Sequence, residues 1–298
     1  PLWSGIALQA IAGLALWIGH AAHPEETMLA NPGFVGALVV GIAGMASAWS
    51  SHTAGRVRLA LVFYLWGLGW WLLAGAREID RFAAHDQHAT LWLAWLVSGL
   101  GLVALALRRG RFVPLGWTAV GLLAGVVLAT LGQVASLDHP FQGRAALAWL
   151  AHAGVGMAAL AALRAREPHA RVVAWALGLW LLGWTMAVAF ALAHGAGWMA
   201  PDGGWRPAAF ALPWLVVLAG MLRVPRWTGV PFQDRVDAWQ RPVSLAFAVA
   251  AVGLWAALVA QPGSSDPLPF VPLLNPVELV ASGLLVVLAH WLWTGVAP

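Results

Sequence analysis

Cysteine is absent from the 298-residue chain. That excludes disulfides, thiolate metal sites and cysteine nucleophiles, and it leaves the redox compartment open. Charge is scarce too: 9% of residues are Asp, Glu, Lys or Arg, against 61% hydrophobic. Soluble domains carry roughly a quarter charged residues, so this composition requires an integral membrane protein. Lysine does not occur; all sixteen basic residues are arginine, which together with the abundance of Ala, Gly and Trp points to a GC-rich bacterial genome. A formal charge of +4 raises the question of nucleic acid. The arginines lie in short connections between apolar runs, where they set membrane orientation, so nucleic acid is rejected as a partner.

What is present is a series of apolar runs. A spanning helix needs roughly 20 mostly apolar residues. Ten stretches fit: Leu2–Ala21, Gly33–Trp49, Val57–Ala76, Ala89–Leu107, Phe112–Ser136, Ala145–Leu163, Val172–His194, Pro207–Leu222, Pro242–Ala260 and Val277–Val296. None alternates with period two, and an open sheet edge is prohibitive in lipid. The predicted fold is therefore all-α, a polytopic transmembrane helix bundle of about ten spans. No internal repeat, heptad pattern or low-complexity tract divides it, so residues 1–298 read as a single membrane domain.

Alternate connections hold twelve of the sixteen arginines: Arg56 and Arg58; Arg108, Arg109 and Arg111; Arg164, Arg166 and Arg171; and Arg223, Arg226, Arg235 and Arg241. The opposite connections hold Arg77, Arg81, Arg144 and Arg206. The arginine-rich side is expected to face the cytoplasm of a bacterial inner membrane. Acids run the other way: nine of twelve, including Glu78, Asp80, Asp138 and Glu278, fall on the expected outer side. Membrane lipids are the expected surroundings.

The densest polar segment is Arg77–His88, with Arg77, Glu78, Asp80, Arg81, His85, Asp86 and His88 following an aromatic half-helix that contains Trp66, Trp70 and Trp71. If the helix persists, Arg77, Arg81, His85 and His88 share one face. Such a face holds a phosphate or carboxylate through forked arginine hydrogen bonds. The alternative is a self-paired, solvated helix end. Asp138-His139-Pro140, with Arg144 beyond, offers acid–base groups at the same surface, or else a helix-terminating turn in which Asp138 caps the next helix. Glu278 follows Asn275-Pro276 in the first turn of the last helix, where a carboxylate complements the helix dipole. The candidate catalytic residues are Asp80, Asp138, His139 and Glu278; the candidate substrate-binding residues are Arg77, Glu78, Arg81, His85 and Asn275. His20, His23, Glu25 and Glu26 have only loose ligand spacing, so no metal and no cofactor is expected. His152 lies mid-span, where a neutral imidazole hydrogen-bonded to a neighbouring helix is set against a proton-relay role. The 21 tryptophans divide between an interfacial belt and bundle packing. Small residues at Gly67 and Gly69, and around Gly154 and Gly156, are read as sites of close helix approach.

Three segments carry a resemblance: PLPFVPLLNPVELV (Pro267–Val280), LWGLGWWLLAGAREIDR (Leu65–Arg81) and HARVVAWALGLWLLGWTMAVAFALAHG (His169–Gly195). They resemble segments of a bacterial family of large polytopic membrane proteins classed as a domain of unknown function, with the "PLLNP" segment near its C-terminal end. The resemblance covers most of this chain and only the C-terminal part of such proteins. It implies an inner-membrane location and further residues upstream, and it names no catalytic group.

The functional expectation is binding or processing of a lipid-linked or envelope glycan substrate at the outer face, since aromatic faces suit sugars and arginines suit phosphates. The alternatives are a structural or assembly subunit bound to partner membrane proteins, and a transporter.

Overall fold

The computed structural model describes residues 7, 9–15, 27–110, 112–200, 203–261, 265, 271 and 275–296. Among these residues there is no strand. Ten helices are bounded: α1 Pro32–Thr53, α2 Val57–Phe82, α3 His88–Arg109, α4 Val113–Ser136, α5 Ala145–Arg166, α6 Ala170–Met199, α7 Trp205–Arg223, the single turn α8 Pro225–Thr228, α9 Val236–Val259 and α10 Pro276–Val296. A 3-10 turn at His85–Gln87 precedes α3. Nine of the described helices are long and apolar enough to cross a membrane, and they correspond one to one with the last nine predicted spans. The first predicted span, Leu2–Ala21, falls largely outside the described residues, although residues 9–15 are helical.

The surface confirms the solvent. Ile42, Leu128, Leu147, Leu150, Val249 and Val286 are each more than 60% exposed. A soluble protein does not display apolar side chains in such number along helix faces, whereas hydrocarbon accommodates them at no cost. The protein is a multi-pass membrane protein.

Packing divides the chain into two compact units, residues 1–95 and 96–298. In the first, α1 and α2 form an antiparallel hairpin that closes through glycine. A Cβ on Gly67 would lie 2.7 Å from the Gly41 carbonyl oxygen, and one on Gly44 would lie 2.8 Å from the Gly67 Cα. The two backbones therefore touch directly, the small-residue approach that membrane helices use in place of a hydrophobic driving force. Gly69, two residues on, meets nothing within 4 Å. Gln9 Nε2 ties the preceding helical segment to α1, donating to Ser47 Oγ at 2.9 Å and the Ala43 carbonyl at 3.3 Å.

In the second unit α6 is the central element, packed against α4, α5, α7 and α9, while α10 lies on α7 and α9. Gly156 admits the Trp180 ring against α5, whereas Gly154 meets nothing. Of the four glycines expected to permit close approach, Gly67 and Gly156 do so. On the expected cytoplasmic side the α5–α6 and α8–α9 connections are clasped together. Arg235 donates to the Glu167 and Arg164 carbonyls, and Arg164 Nε lies 3.1 Å from Asp234.

Candidate functional site

Helix α2 is 26 residues long. At 1.5 Å per residue it measures about 39 Å, longer than the ~30 Å hydrocarbon core, and its charged residues Arg77–Arg81 are gathered in the last two turns. The segment does not protrude as a free helix end, as its charge implied. Glu78 and Ile79 are both 4% exposed, and Leu29 and Asn31, at the start of α1, fold over Glu78.

Asn31-Pro32 governs this arrangement. Asn31 is extended, with φ −101° and ψ 152°, and Pro32 follows at the first helical position. Asn31 Oδ1 accepts the Phe34 N–H at 2.7 Å, a standard N-cap. Its Nδ2 is thereby turned outward from α1 and donates to both carboxylate oxygens of Glu78, to Oε2 at 3.1 Å. Leu29 adds its backbone N–H to Glu78 Oε1 at 3.3 Å. It does so from a left-handed conformation, φ 65°, that costs a non-glycine residue about 1 kcal/mol. Glu78 is thus a buried carboxylate held by donors from the connection and the cap. Asn31 was missed by sequence reasoning; the Asn-Pro dipeptide ahead of an apolar run was the available signal.

Beside this pair lies a cavity of about 460 Å³, lined by Asn31, Phe34, Arg77, Glu78, Asp80, Arg81 and Phe82, among others. Asp80 and Arg81 are exposed and Arg77 is half-buried. The Arg81 guanidinium sits 5.3 Å from the Phe82 ring centroid, so it is held over an aromatic face. The cavity combines two guanidiniums, one solvent-reachable carboxylate and two phenyl rings.

The helix does not persist to His88. It ends at Phe82, where Ala83 turns extended with ψ 140°. Arg77 and Arg81 share a face one turn apart, but His85 and His88 belong to the next elements. His88 Nε2 lies 3.1 Å from the Ala83 carbonyl, closing the turn. His85, with its ring 5.7 Å from that of His88, is exposed and does not line the cavity.

The remaining candidates belong to the second unit. Asp138 does not cap α5, whose N-cap position is Arg144. It closes the connecting turn instead: its N–H donates to Gln142 Oε1 at 3.0 Å, and its Oδ2 accepts from Gln142 Nε2 at 3.2 Å. His139 Nδ1 accepts the Phe141 N–H at 3.2 Å, and its ring lies 5.1 Å from that of His194 at the end of α6. Phe141 anchors the turn by packing on Trp149 and Trp184.

At the start of α10, Asn275 Oδ1 accepts the Glu278 N–H at 2.9 Å, the same Asn-Pro cap as at α1. Its Nδ2 is buried without a partner among the described residues. Most of the PLLNP stretch before it lies outside the described residues, as do His20, His23, Glu25 and Glu26. The structure therefore groups Asn31, Arg77, Glu78, Asp80 and Arg81 around one cavity, and leaves Asp138 with His139, and Asn275 with Glu278, each in a local turn.

His152 departs from the expected interhelical hydrogen bond. It is fully buried, and neither ring nitrogen has a partner among the described residues. Trp180, Trp149 and Trp184 frame it at ring separations of 4.7, 5.4 and 5.9 Å.

No family model matches the chain, and no solved structure is similar to it. A stretch of 139 residues is 25% identical to YkcB of Bacillus subtilis (strain 168), a protein provisionally named a mannosyltransferase. The match covers 39% of this chain and 19% of YkcB, so it relates one part of this membrane protein to less than a fifth of that one.

Proposed function

We propose that this protein binds or processes a lipid-linked or envelope glycan at the cavity at the end of α2, on the outer face of a bacterial inner membrane. The observation that carries the reading is the cavity itself. A space of about 460 Å³ suits a sugar or two, and its walls set Arg77 and Arg81 beside the aromatic faces of Phe34 and Phe82. Guanidiniums recognise a phosphate by forked hydrogen bonds, and phenyl rings pack on the apolar face of a pyranose. Asp80 is the carboxylate within reach of solvent and substrate, and is assigned as the general acid–base. Glu78, already committed to Asn31 and Leu29, positions the wall. The similarity to YkcB supports a sugar as the group handled.

The test uses the purified protein in liposomes with polyprenyl-phosphate-linked mannose as the probe. Binding of the lipid-linked sugar, and hydrolytic release of mannose to water with polyprenyl phosphate as the leaving group, are expected from the wild type. Asp80→Asn should lower the rate by about 10²–10⁴, the usual share of general acid–base catalysis. Arg77→Gln should weaken binding by about tenfold, as expected for one charge-assisted hydrogen bond. Full turnover by Asp80→Asn would remove Asp80 from the chemistry, and absence of both binding and turnover in the wild type would refute the glycan reading.

A further inference from the structure

The second unit contains an apolar groove of about 460 Å³ between α6 and α9, independent of the α2 cavity. One wall is Ala170, Ala174 and Gly178, the other Ala238, Pro242 and Ala246, each row spaced by four residues along its helix. Small stripes of this kind usually bring helices together. Here they touch only locally, with a Cβ on Gly178 reaching 3.4 Å from Val243, and the space beside them stays open.

Two further observations describe what fits. Arg171 lines one end, is exposed, and has no ion-pair partner among the described residues. Glu167, the acid one turn before Arg171 in sequence, is engaged instead by His169 Nδ1 at 2.5 Å. Trp214 lines the other end, packed on Phe247 at a ring separation of 5.6 Å. It is 8% exposed. From Ala170 to Leu182 the α6 wall extends about 18 Å, close to the ~15 Å of one hydrocarbon leaflet.

We infer that this groove is a site for an anionic phospholipid, with one acyl chain along α6 and α9 and the headgroup phosphate on Arg171. The guanidinium supplies a forked, charge-assisted contact that a net-neutral headgroup engages less well. The small side chains leave room for methylenes and exclude nothing polar from lipid. At the deep end Trp214 and Phe247, packed on each other, close the groove around the chain. Arg171 lies on the arginine-rich side, where anionic lipid is expected to be held.

Native mass spectrometry of the detergent-purified full chain tests this, with dioleoylphosphatidylglycerol and dioleoylphosphatidylcholine as probes. The wild type should retain the dioleoyl glycerol lipid about tenfold better than the choline lipid, the size of one charge-assisted contact. Arg171→Gln should erase that preference. Ala174→Phe, or Ala246→Phe from the facing wall should the first not fold, should lose the retained lipid altogether. Equal retention of the two headgroups by the wild type, or retention unchanged when the groove is filled, would overturn the site.

Discussion

Replacing Asn31 by alanine removes two things that one side chain provides. The Oδ1 cap on the Phe34 N–H is lost, which costs about 1 kcal/mol. The Nδ2 donor to Glu78 is lost as well, leaving a carboxylate that is 4% exposed with only the 3.3 Å bond from Leu29 among the described residues. Hydrogen bonds to buried charges contribute about 1.5–3 kcal/mol each, so the total loss should be about 3 kcal/mol. Glu78→Gln keeps an acceptor for the Asn31 amide and removes the charge, and should cost about 1 kcal/mol or less. In the double variant no stranded charge remains, so it should be less destabilised than the sum of the singles, with a coupling of about 1–2 kcal/mol. Unfolding in detergent micelles, followed by far-ultraviolet circular dichroism, measures all four corners of the cycle. A coupling below about 0.5 kcal/mol would refute the account of Asn31 as the partner of a buried charged carboxylate.

Two further predictions concern packing. Gly67→Ala places a Cβ 2.7 Å from a carbonyl oxygen and 2.8 Å from the Met45 nitrogen. Neither backbone atom can swing aside, so α1 and α2 must separate, at about 1–3 kcal/mol. Gly69→Ala meets nothing within 4 Å and should be neutral or slightly stabilising; the paired melting temperatures decide, and equal behaviour of the two variants would sink the close-approach argument. His152→Leu removes two ring nitrogens that have no partner, so stability should hold or rise by about 1 kcal/mol. A loss above about 2 kcal/mol in the same denaturation assay would mean that those nitrogens are bonded in the membrane.

Composition and the length of the apolar runs were enough to determine the class of fold and several of the helix ends. In lipid each span must satisfy its own backbone hydrogen bonds, so an apolar run of sufficient length is a helix whatever surrounds it. Val57, Ala145 and Ser136 accordingly mark helix ends in both the pattern and the structure. The concentration of charge at Arg77–Arg81 was equally legible, because charge is scarce everywhere else in the chain. Tertiary structure decided what those charges do. Nothing local to Glu78 indicates burial, since its donors come from Leu29 and Asn31, nearly fifty residues earlier in the chain and brought opposite it by the glycine-closed hairpin. The end of α2 at Phe82 removed His85 from the cavity face, and Gln142 drew Asp138 into a turn of its own. Which of several equivalent small residues meets a backbone, as Gly67 does and Gly69 does not, depends on the crossing of two helices, and a single helix's sequence does not contain that crossing.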